Sequence, residues 1–347
     1  MPKIRVLVVD DSVVLRRLLS DELNGDPDIE VVGIAANGRI ALQRIPQVNP
    51  DLVILDVEMP EMDGLETLAA IRKTYGKLPV VMFSALTERG AHATLEALSL
   101  GASDYFTKPT SDAGVDASLK VVREQLIPKI KALASAHRRK ATPVSPSRAG
   151  SIFKASPVHA VAIGCSTGGP NALAEVLPRL SASFPVPILI VQHMPPMFTR
   201  LLADRLTAQS SLKVHEAATG MVVQPGNAYV APGDYHMTVV RSGDQVRIVT
   251  QQDPPENSCR PAADVMLRSV ATAYGAGSLA VILTGMGQDG LRGCESIRLA
   301  GGQVIAQDEA SSVVWGMPGY VVKAGLATQE LPLDQIGAKI QQLALRS

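Results

Sequence analysis

The stretch VHAVAIGCSTGGPNALAEVLPRL, at residues 158–180, decides the fold of the second half of the chain. Its apolar beginning, residues 158–163, predicts a buried strand, and its end, residues 171–180, predicts a helix. The glycines between these segments allow backbone angles that other residues avoid. They place Ser166 on a sharp bend within the pattern Gly-x-Ser-x-Gly, which is how an exposed nucleophilic hydroxyl is presented.

A serine hydroxyl at neutral pH needs a base, and the base needs a carboxylate that orients it. His193 directly follows a second apolar run, residues 187–192, and Asp289 lies in the glycine-rich turn after a third, residues 278–284. The carboxyl ends of parallel strands meet at one edge of a sheet. We therefore expect Ser166, His193 and Asp289 to form a catalytic triad at that edge.

The order serine, histidine, aspartate along the chain differs from the serine, aspartate, histidine order of α/β-hydrolases. The Gly-x-Ser-x-Gly pattern is therefore not interpreted as a lipase motif. Backbone N–H groups near Thr167 and Met286 are expected to hold the oxyanion that forms when the serine attacks.

Other residues stay open as alternatives for these roles. His215 and His236 lie in the hairpin-rich part of the chain and are weaker candidates for the base. Asp253 and Asp308 are alternative carboxylates, but the strand-end position of the third candidate favours it over both. Cys165 is the rival nucleophile, although its side chain should point away from the bend if the turn begins as a strand.

The first part of the chain alternates apolar runs with amphipathic stretches, the last of which covers about residues 116–136. The apolar runs are residues 4–9, 30–35, 52–55, 79–83 and 104–106. Continuously apolar strands of this kind predict a parallel sheet covered on both faces. In the second part, residues 236–240 and 245–250 flank a Ser-Gly-Asp turn, which predicts a β-hairpin inserted into an α/β domain.

Polar residues follow or end several strands of the first part. Asp10 and Asp11 follow the first strand, Asp56 follows the third, Ser84 ends the fourth and Lys108 follows the fifth. Converging carboxylates repel one another unless a cation lies between them, and Mg²⁺ favours oxygen ligands. One carboxylate could then accept a phosphoryl group, whose oxygens a lysine ammonium and a serine hydroxyl are suited to bind.

Composition limits the classes of function. Lysine plus arginine and aspartate plus glutamate each number 33, so the net charge is zero, and aromatic residues make up 3% of the chain. Both values argue against a nucleic-acid-binding protein. The chain has no apolar stretch long enough for a transmembrane segment, and its three cysteines are widely spaced. We therefore expect a cytoplasmic protein.

The order and spacing of the strand-end residues resemble the receiver domain of two-component response regulators, over about residues 3–126. The resemblance implies a flavodoxin-like (βα)5 fold in which Asp56 accepts a phosphoryl group from a histidine kinase. The remaining residues that it assigns are Asp10 and Asp11 for Mg²⁺ together with Asp56, Lys108 for the phosphoryl group, Ser84 as the hydroxyl switch and Tyr105 as the aromatic switch.

The second part resembles the chemotaxis methylesterases of the CheB family. The segments that carry the resemblance are GCSTGG at residues 164–169, QHM at 192–194, Arg260-Pro261, TGMGQDG at 284–290 and ASSVVWGMP at 310–318. Members of this family hydrolyse γ-glutamyl methyl esters on chemoreceptors, and many also deamidate receptor glutamines. The resemblance implies a doubly wound, mainly parallel α/β domain whose esterase reaction uses no cofactor.

The predicted organisation is a receiver domain at residues 1–126 and a methylesterase catalytic domain at residues 156–347. Residues 127–155 would form the end of a helix and a basic linker rich in proline and serine. The expected function is phosphorylation-regulated removal of methyl esters from chemoreceptors in bacterial chemotaxis. Two alternatives stay open: an esterase that acts on small molecules, and a regulator whose second half only binds a partner.

Overall fold

The computed structural model describes residues 2–108, 115–139 and 156–345. The chain divides into two compact units, Met1–Pro143 and Val144–Ser347. Most of the predicted basic linker, residues 140–155, lies outside the described residues. Each unit is an α/β structure built on its own parallel sheet, so the predicted fold class is confirmed.

The first unit contains a five-stranded parallel sheet in the order β2-β1-β3-β4-β5. Its strands are β1 (Ile4–Val9), β2 (Ile29–Ala35), β3 (Leu52–Asp56), β4 (Val80–Ser84) and β5 (Asp104–Thr107). The helices that alternate with them are α1 (Val13–Asn24), α2 (Gly38–Val48), α3 (Gly64–Thr74) and α4 (Glu88–Ser99). All five predicted strands are confirmed, each within about one residue at either end.

The strand order of this sheet positions a crevice. The chain winds from β1 to β2 on one side and from β3 to β5 on the other, so its direction reverses between β1 and β3. Ligands of open α/β sheets bind outside the carboxyl ends of the strands at such a reversal. Gly64 lets α3 begin directly against the end of β3, because a Cβ atom there would lie 2.2 Å from the carbonyl oxygen of Asp56.

A continuous helical segment closes the first unit and matches the predicted stretch at residues 116–136. It consists of α5 (Val115–Val121), a π-helical turn (Val122–Leu126) and α6 (Ile127–Arg139). Ile130 and Leu133 of α6 are buried. Ion pairs add to this packing: Lys129 with Asp104, Lys131 with Asp26, and Arg138 with Asp51, each at 2.8 Å. The helix therefore packs on the sheet unit well beyond residue 126.

The second unit contains a seven-stranded parallel sheet in the order β14-β13-β12-β6-β7-β9-β8. Its strands are β6 (Ala160–Cys165), β7 (Ile188–Gln192), β8 (Lys213–Glu216), β9 (Asn227–Val230), β12 (Ser278–Ile282), β13 (Gln303–Gln307) and β14 (Gln329–Leu331). Its helices are α7 (Gly169–Val176), α8 (Phe198–Gln209), α9 (Ala263–Tyr274), α10 (Leu291–Leu299), α11 (Met317–Lys323) and α12 (Leu333–Ala344).

The predicted β-hairpin insertion is confirmed as the antiparallel pair β10 (His236–Ser242) and β11 (Gln245–Gln251). Alternate hairpin residues, such as Met237 and Ile248, join one apolar core with residues of α9 and α10. The large sheet is doubly wound, as predicted, because the chain builds outward from β6 to β8 and then from β12 to β14. The direction of winding reverses between β6 and β12, and this reversal defines the second crevice.

Candidate functional sites

The carboxyl ends of β1 and β3 bring three carboxylates together. One carboxylate oxygen from each of Asp10, Asp11 and Asp56 lies within 4.8 Å of the others. Asp10 and Asp56 are buried, whereas Asp11 is exposed. The Oδ2 atoms of the two buried aspartates are shielded from solvent, and both lie next to the ammonium group of Lys108. This set of hard oxygen donors fits Mg²⁺, which is held by a few carboxylates and keeps several waters.

Lys108 shares its ammonium group between the two buried carboxylates. Its Nζ lies 3.0 Å from Asp10 Oδ2 and 2.7 Å from Asp56 Oδ2. Burial and the charge of Asp10 raise the pKa of Asp56 to about 6, in spite of the opposing effect of the lysine. Burial alone would lower the pKa of Lys108, but the two carboxylates raise it, so the lysine stays charged.

Mg²⁺ binding is expected to weaken as the pH falls through about 6, because a raised pKa leaves Asp56 protonated below that value. We expect the Kd for Mg²⁺, measured by calorimetry on the full chain, to rise about tenfold for each further pH unit, since one proton competes with the metal. Asp56→Asn is the control and should flatten this dependence. A Kd independent of pH down to about 4.5 would contradict the raised pKa of Asp56.

The two predicted switch residues lie in different surroundings. Ser84 is buried and lines a cavity of about 210 Å³ together with Asp11, Asp56 and Lys108. Its hydroxyl donates to the carbonyl of Gly90 at 3.0 Å.

Tyr105 does not line that cavity but is buried in β5. Lys129 from α6 donates to its carbonyl oxygen at 2.7 Å, and the same ammonium lies 5.5 Å from the centre of its ring. The switch roles of Ser84 and Tyr105 stay predictions.

In the second unit, Ser166 lies on the turn that follows β6. Gly168 in this turn has a φ of +78°, which favours glycine. Two hydrogen bonds to neighbouring segments fix this turn. The N–H of Ser166 donates to the carbonyl of Thr284 at 3.0 Å, and Gln192 Nε2 donates to the carbonyl of Ser166 at 3.0 Å. Ser166 is half-buried, and its hydroxyl makes no hydrogen bond with a described residue.

Cys165, the rival nucleophile, is enclosed by the protein. Its side chain is fully buried, and its thiol donates to Gln192 Oε1 at 3.1 Å. Burial raises the pKa of the Cys165 thiol, so the reactive thiolate is disfavoured. The geometry therefore favours the serine over the cysteine as nucleophile.

His193 follows β7 and pairs with the predicted carboxylate. Its Nε2 lies 2.7 Å from Asp289 Oδ2, and this pair is nearly excluded from solvent. The hydrogen on Nε2 is therefore donated to the carboxylate, which leaves Nδ1 as the atom that can accept a proton. Cys259 Sγ lies 3.5 Å from this Nδ1. Burial opposes the charged imidazole, but Asp289 and Cys259 raise the pKa of His193 above its ordinary value.

Asp289 lies in the turn after β12 and accepts hydrogen bonds at both oxygens. Besides His193, the donors are Ala263 N–H at 2.6 Å and Asp264 N–H, Gly290 N–H and Asn257 Nδ2 at 3.0 Å each. Ala263 and Asp264 begin α9, and a helix N-terminus favours a negative charge. Burial would raise the pKa of Asp289, but these donors and His193 outweigh it and lower the pKa.

The turn after β12 also approaches the serine. A Cβ atom on Gly285 would lie 2.9 Å from the Cβ atom of Ser166, so the two turns are in direct contact. Among the described residues, the backbone N–H groups of Thr167 and Met286 donate to no partner. They are therefore available to an oxyanion, and their role in holding it stays a prediction.

The alternative base and carboxylate candidates have other partners. His215 Nε2 lies 3.0 Å from Asn227 Oδ1. His236 is buried and is held between the N–H of Ala262 and the carbonyl of Pro254. Asp308 accepts from both the N–H and the hydroxyl of Ser311.

Sequence reasoning missed several residues that hold the site together. Gln192 bonds the serine turn, and Asn257 and Cys259 contact the aspartate and the histidine. Gln192 ends a predicted strand beside His193, so its position was a usable signal. Asn257 and Cys259 had none, because nothing local in the sequence connects them with residues 32 and 66 positions away.

The first unit has a parallel sheet with an acidic crevice. The second has a sheet that carries serine, histidine and aspartate at its own crevice. This combination defines the class of response regulators with a hydrolase output. The family model of the response regulator receiver domain matches residues 6–120, and that of the CheB methylesterase matches residues 161–340. The chain therefore belongs to the CheB methylesterase family.

Two similar proteins match nearly the whole chain, and a solved structure matches its second part. A protein-glutamate methylesterase/protein-glutamine glutaminase from Trichodesmium erythraeum is 56% identical, over 98% of this chain and 99% of the relative. One from a Nocardioides species is 52% identical, over 98% and 95%. The crystal structure of the CheB methylesterase catalytic domain of Thermotoga maritima matches with a TM-score of 0.53 and 43% identity, over 54% of this chain and 100% of that one.

None of the described helices combines the length and the apolar character that crossing a bilayer requires.

Proposed function

We propose that this chain is a phosphorylation-regulated protein-glutamate methylesterase that removes methyl esters from glutamates of chemoreceptors and deamidates receptor glutamines. The observation that carries the proposal is the 2.7 Å pair of His193 and Asp289 beside the Ser166 turn, at the carboxyl edge of one parallel sheet. In the proposed organisation, residues 1–126 receive the phosphoryl group, residues 156–347 catalyse hydrolysis, and residues 127–155 connect them.

The proposed reaction assigns a role to each of these groups. Ser166 Oγ attacks the ester carbonyl while His193 Nδ1 takes its proton, since Nε2 is committed to Asp289. The N–H groups of Thr167 and Met286 hold the oxyanion. The tetrahedral intermediate expels methanol, which receives the proton from His193, and leaves an acyl ester on Ser166.

Water completes the cycle by the same proton path. It loses a proton to His193 and attacks the acyl ester, which releases the glutamate carboxyl group and returns the proton to Ser166. A glutamine side chain passes through the same tetrahedral geometry and expels ammonia instead of methanol. Deamidation therefore requires no further catalytic group in this site.

The first unit supplies regulation in this proposal. Asp56 accepts a phosphoryl group from a chemotaxis histidine kinase, and Mg²⁺ held by Asp10, Asp11 and Asp56 would neutralise phosphoryl charge. Lys108 would pair with a phosphoryl oxygen once Asp56 is modified. The substrates and the phosphodonor proposed here are proteins of the bacterial cytoplasm and its membrane surface, so we propose a cytoplasmic location.

The test is methanol release from methylated chemoreceptor membranes, with and without acetyl phosphate and Mg²⁺. Release that rises with the phosphodonor is expected. Release from a generic small ester, with none from receptors, would support a small-molecule esterase instead. No hydrolysis of either substrate would support an output that only binds a partner.

Asp56→Asn is expected to abolish the stimulation by acetyl phosphate while basal methanol release stays within about twofold of the wild type, since the asparagine cannot form the acyl phosphate. The matched control is Asp21→Asn, which changes an exposed aspartate on α1 and should keep the stimulation. Retained stimulation in Asp56→Asn would show that another residue accepts the phosphoryl group.

A further inference from the structure

A tight turn packs against the candidate triad. Glu256 and Cys259 bond each other's backbone in both directions, at 3.1 and 2.9 Å, so Asn257 and Ser258 form a two-residue loop. Both have a positive φ, 53° and 61°. Arg268 of α9 anchors the turn through two bonds to the carboxylate of Glu256, at 2.7 and 2.6 Å. The direction of each side chain in the turn is therefore well defined.

Asn257 turns its amide inward from an exposed position. Its Nδ2 lies 2.9 Å from Asp264 Oδ2 and 3.0 Å from Asp289 Oδ1. Both partners are carboxylate oxygens and both residues are buried. The nitrogen of the amide, and not its oxygen, must therefore face them, and its two hydrogens are used by two different carboxylates.

We propose that Asn257 is a positioning residue, which bridges the two buried carboxylates and thereby holds Asp289 in the orientation that receives His193. This inference rests on the proposed function and adds a residue to it. Asn257 is the only side chain other than His193 that donates to Asp289 within the described part of the chain.

The physical reason is repulsion between two buried carboxylates that bond the same amide nitrogen. Burial and the charge of Asp289 raise the pKa of Asp264, while hydrogen bonds from Gly293 and Asn257 oppose the rise. Removing the amide leaves each carboxylate with one donor fewer, so the cluster binds a proton more readily. The titratable and charged groups around this pair are His193, Glu256, Cys259, Arg268, Arg292 and Cys294.

A proton bound by His193 or by Asp289 interferes with catalysis. On His193 it blocks the general base, and on Asp289 it removes the charge that stabilises the imidazolium. The acid limb of the pH profile of kcat/KM should therefore move to higher pH when the bridge is lost. A residue that merely stabilises the fold would lower activity without moving this limb.

The experiment compares Asn257→Gly and Asn257→Asp with the matched control Ser258→Gly in the full chain. Glycine keeps the positive φ, and aspartate keeps the shape of asparagine but replaces the donor by a third carboxylate. We expect kcat/KM for methanol release at neutral pH to fall about tenfold in Asn257→Gly and further in Asn257→Asp. Ser258→Gly removes a side chain that bonds no described residue and should stay within about twofold of the wild type.

The second measurement is the titration of the His193 ring by NMR, with the signal assigned by its loss in His193→Gln. The His193 pKa should rise in both Asn257 variants and stay constant in Ser258→Gly. An unchanged acid limb and an unchanged ring titration in folded Asn257 variants, or an equal shift in the control, would overturn the inference. Absence of methanol release by the wild type would instead refute the proposed function, while the ring titration would still test the bridge.

Discussion

Replacing Ser166 by alanine is expected to lower methanol release from methylated chemoreceptors by about 10⁴-fold or more, because no other hydroxyl lies on this turn in position to form the acyl intermediate. Thr167, the next residue, is buried, and its carbonyl accepts from Thr284. The measurement is release per enzyme under single-turnover conditions, with acetyl phosphate present, so that regulation does not limit the rate.

Cys165→Ala is the matched control for this prediction. The thiol is buried and bonded to Gln192, so it is not accessible to a substrate and its loss should leave most of the esterase activity. Thermal unfolding of both variants should be followed in parallel, because a small buried group is lost in the control. Substantial esterase activity in folded Ser166→Ala, together with its loss in Cys165→Ala, would assign the nucleophile to the cysteine.

Asp289→Asn is expected to lower kcat by about 10³–10⁴-fold while the fold is retained. Three donors converge on Oδ1, so the amide oxygen of the asparagine would stay there. Its NH₂ group would then face the N–H of Ala263 and His193 Nε2, which were both donors. The imidazole would have to move or place its hydrogen on Nδ1, where it can no longer take the proton of Ser166.

The pH dependence of esterase activity provides a second test of the same variant. Asp289 holds the pKa of His193 above its ordinary value, so the acid limb of the remaining activity should move to lower pH when the charge is removed. Asp308→Asn is the control, because Asp308 also follows a strand of this sheet but bonds Ser311. Equal losses in both variants, or an acid limb that does not move in Asp289→Asn, would argue against the triad.

Several of the strands that sequence analysis identified are buried on both faces, whereas β2 and the hairpin strands β10 and β11, which it also identified, are partly exposed. β1, β3, β4 and β12 are almost wholly apolar because helices or loops cover both sides of a parallel sheet. The missed strands carry a weaker signal. β8 is an edge strand with a single buried residue, and β14 has three half-buried residues. β13 begins and ends with buried glutamines, whose polarity conceals a strand that is otherwise apolar.

The three candidate catalytic residues were predictable for a simple geometric reason. β12, β6 and β7 are neighbours at the centre of the sheet, so the residues that follow them necessarily converge. The support around them was not predictable. Asn257 reaches Asp289 from a turn in the left-handed region that belongs to no strand, and only the packing of α9 against the sheet brings the two together.

The attachment of α6 determines where the described chain leaves the first unit. Arg138 donates to the carbonyls of Pro2 and Lys3 and pairs with Asp51, which all precede strands. The exit therefore lies at the amino ends of β1 and β3, whereas the acidic crevice lies at their carboxyl ends. The exit and the crevice are therefore separated by the length of a strand, about 17–20 Å. They occupy opposite poles of this unit, so any effect on the exit of the phosphorylation proposed at Asp56 would have to cross the sheet.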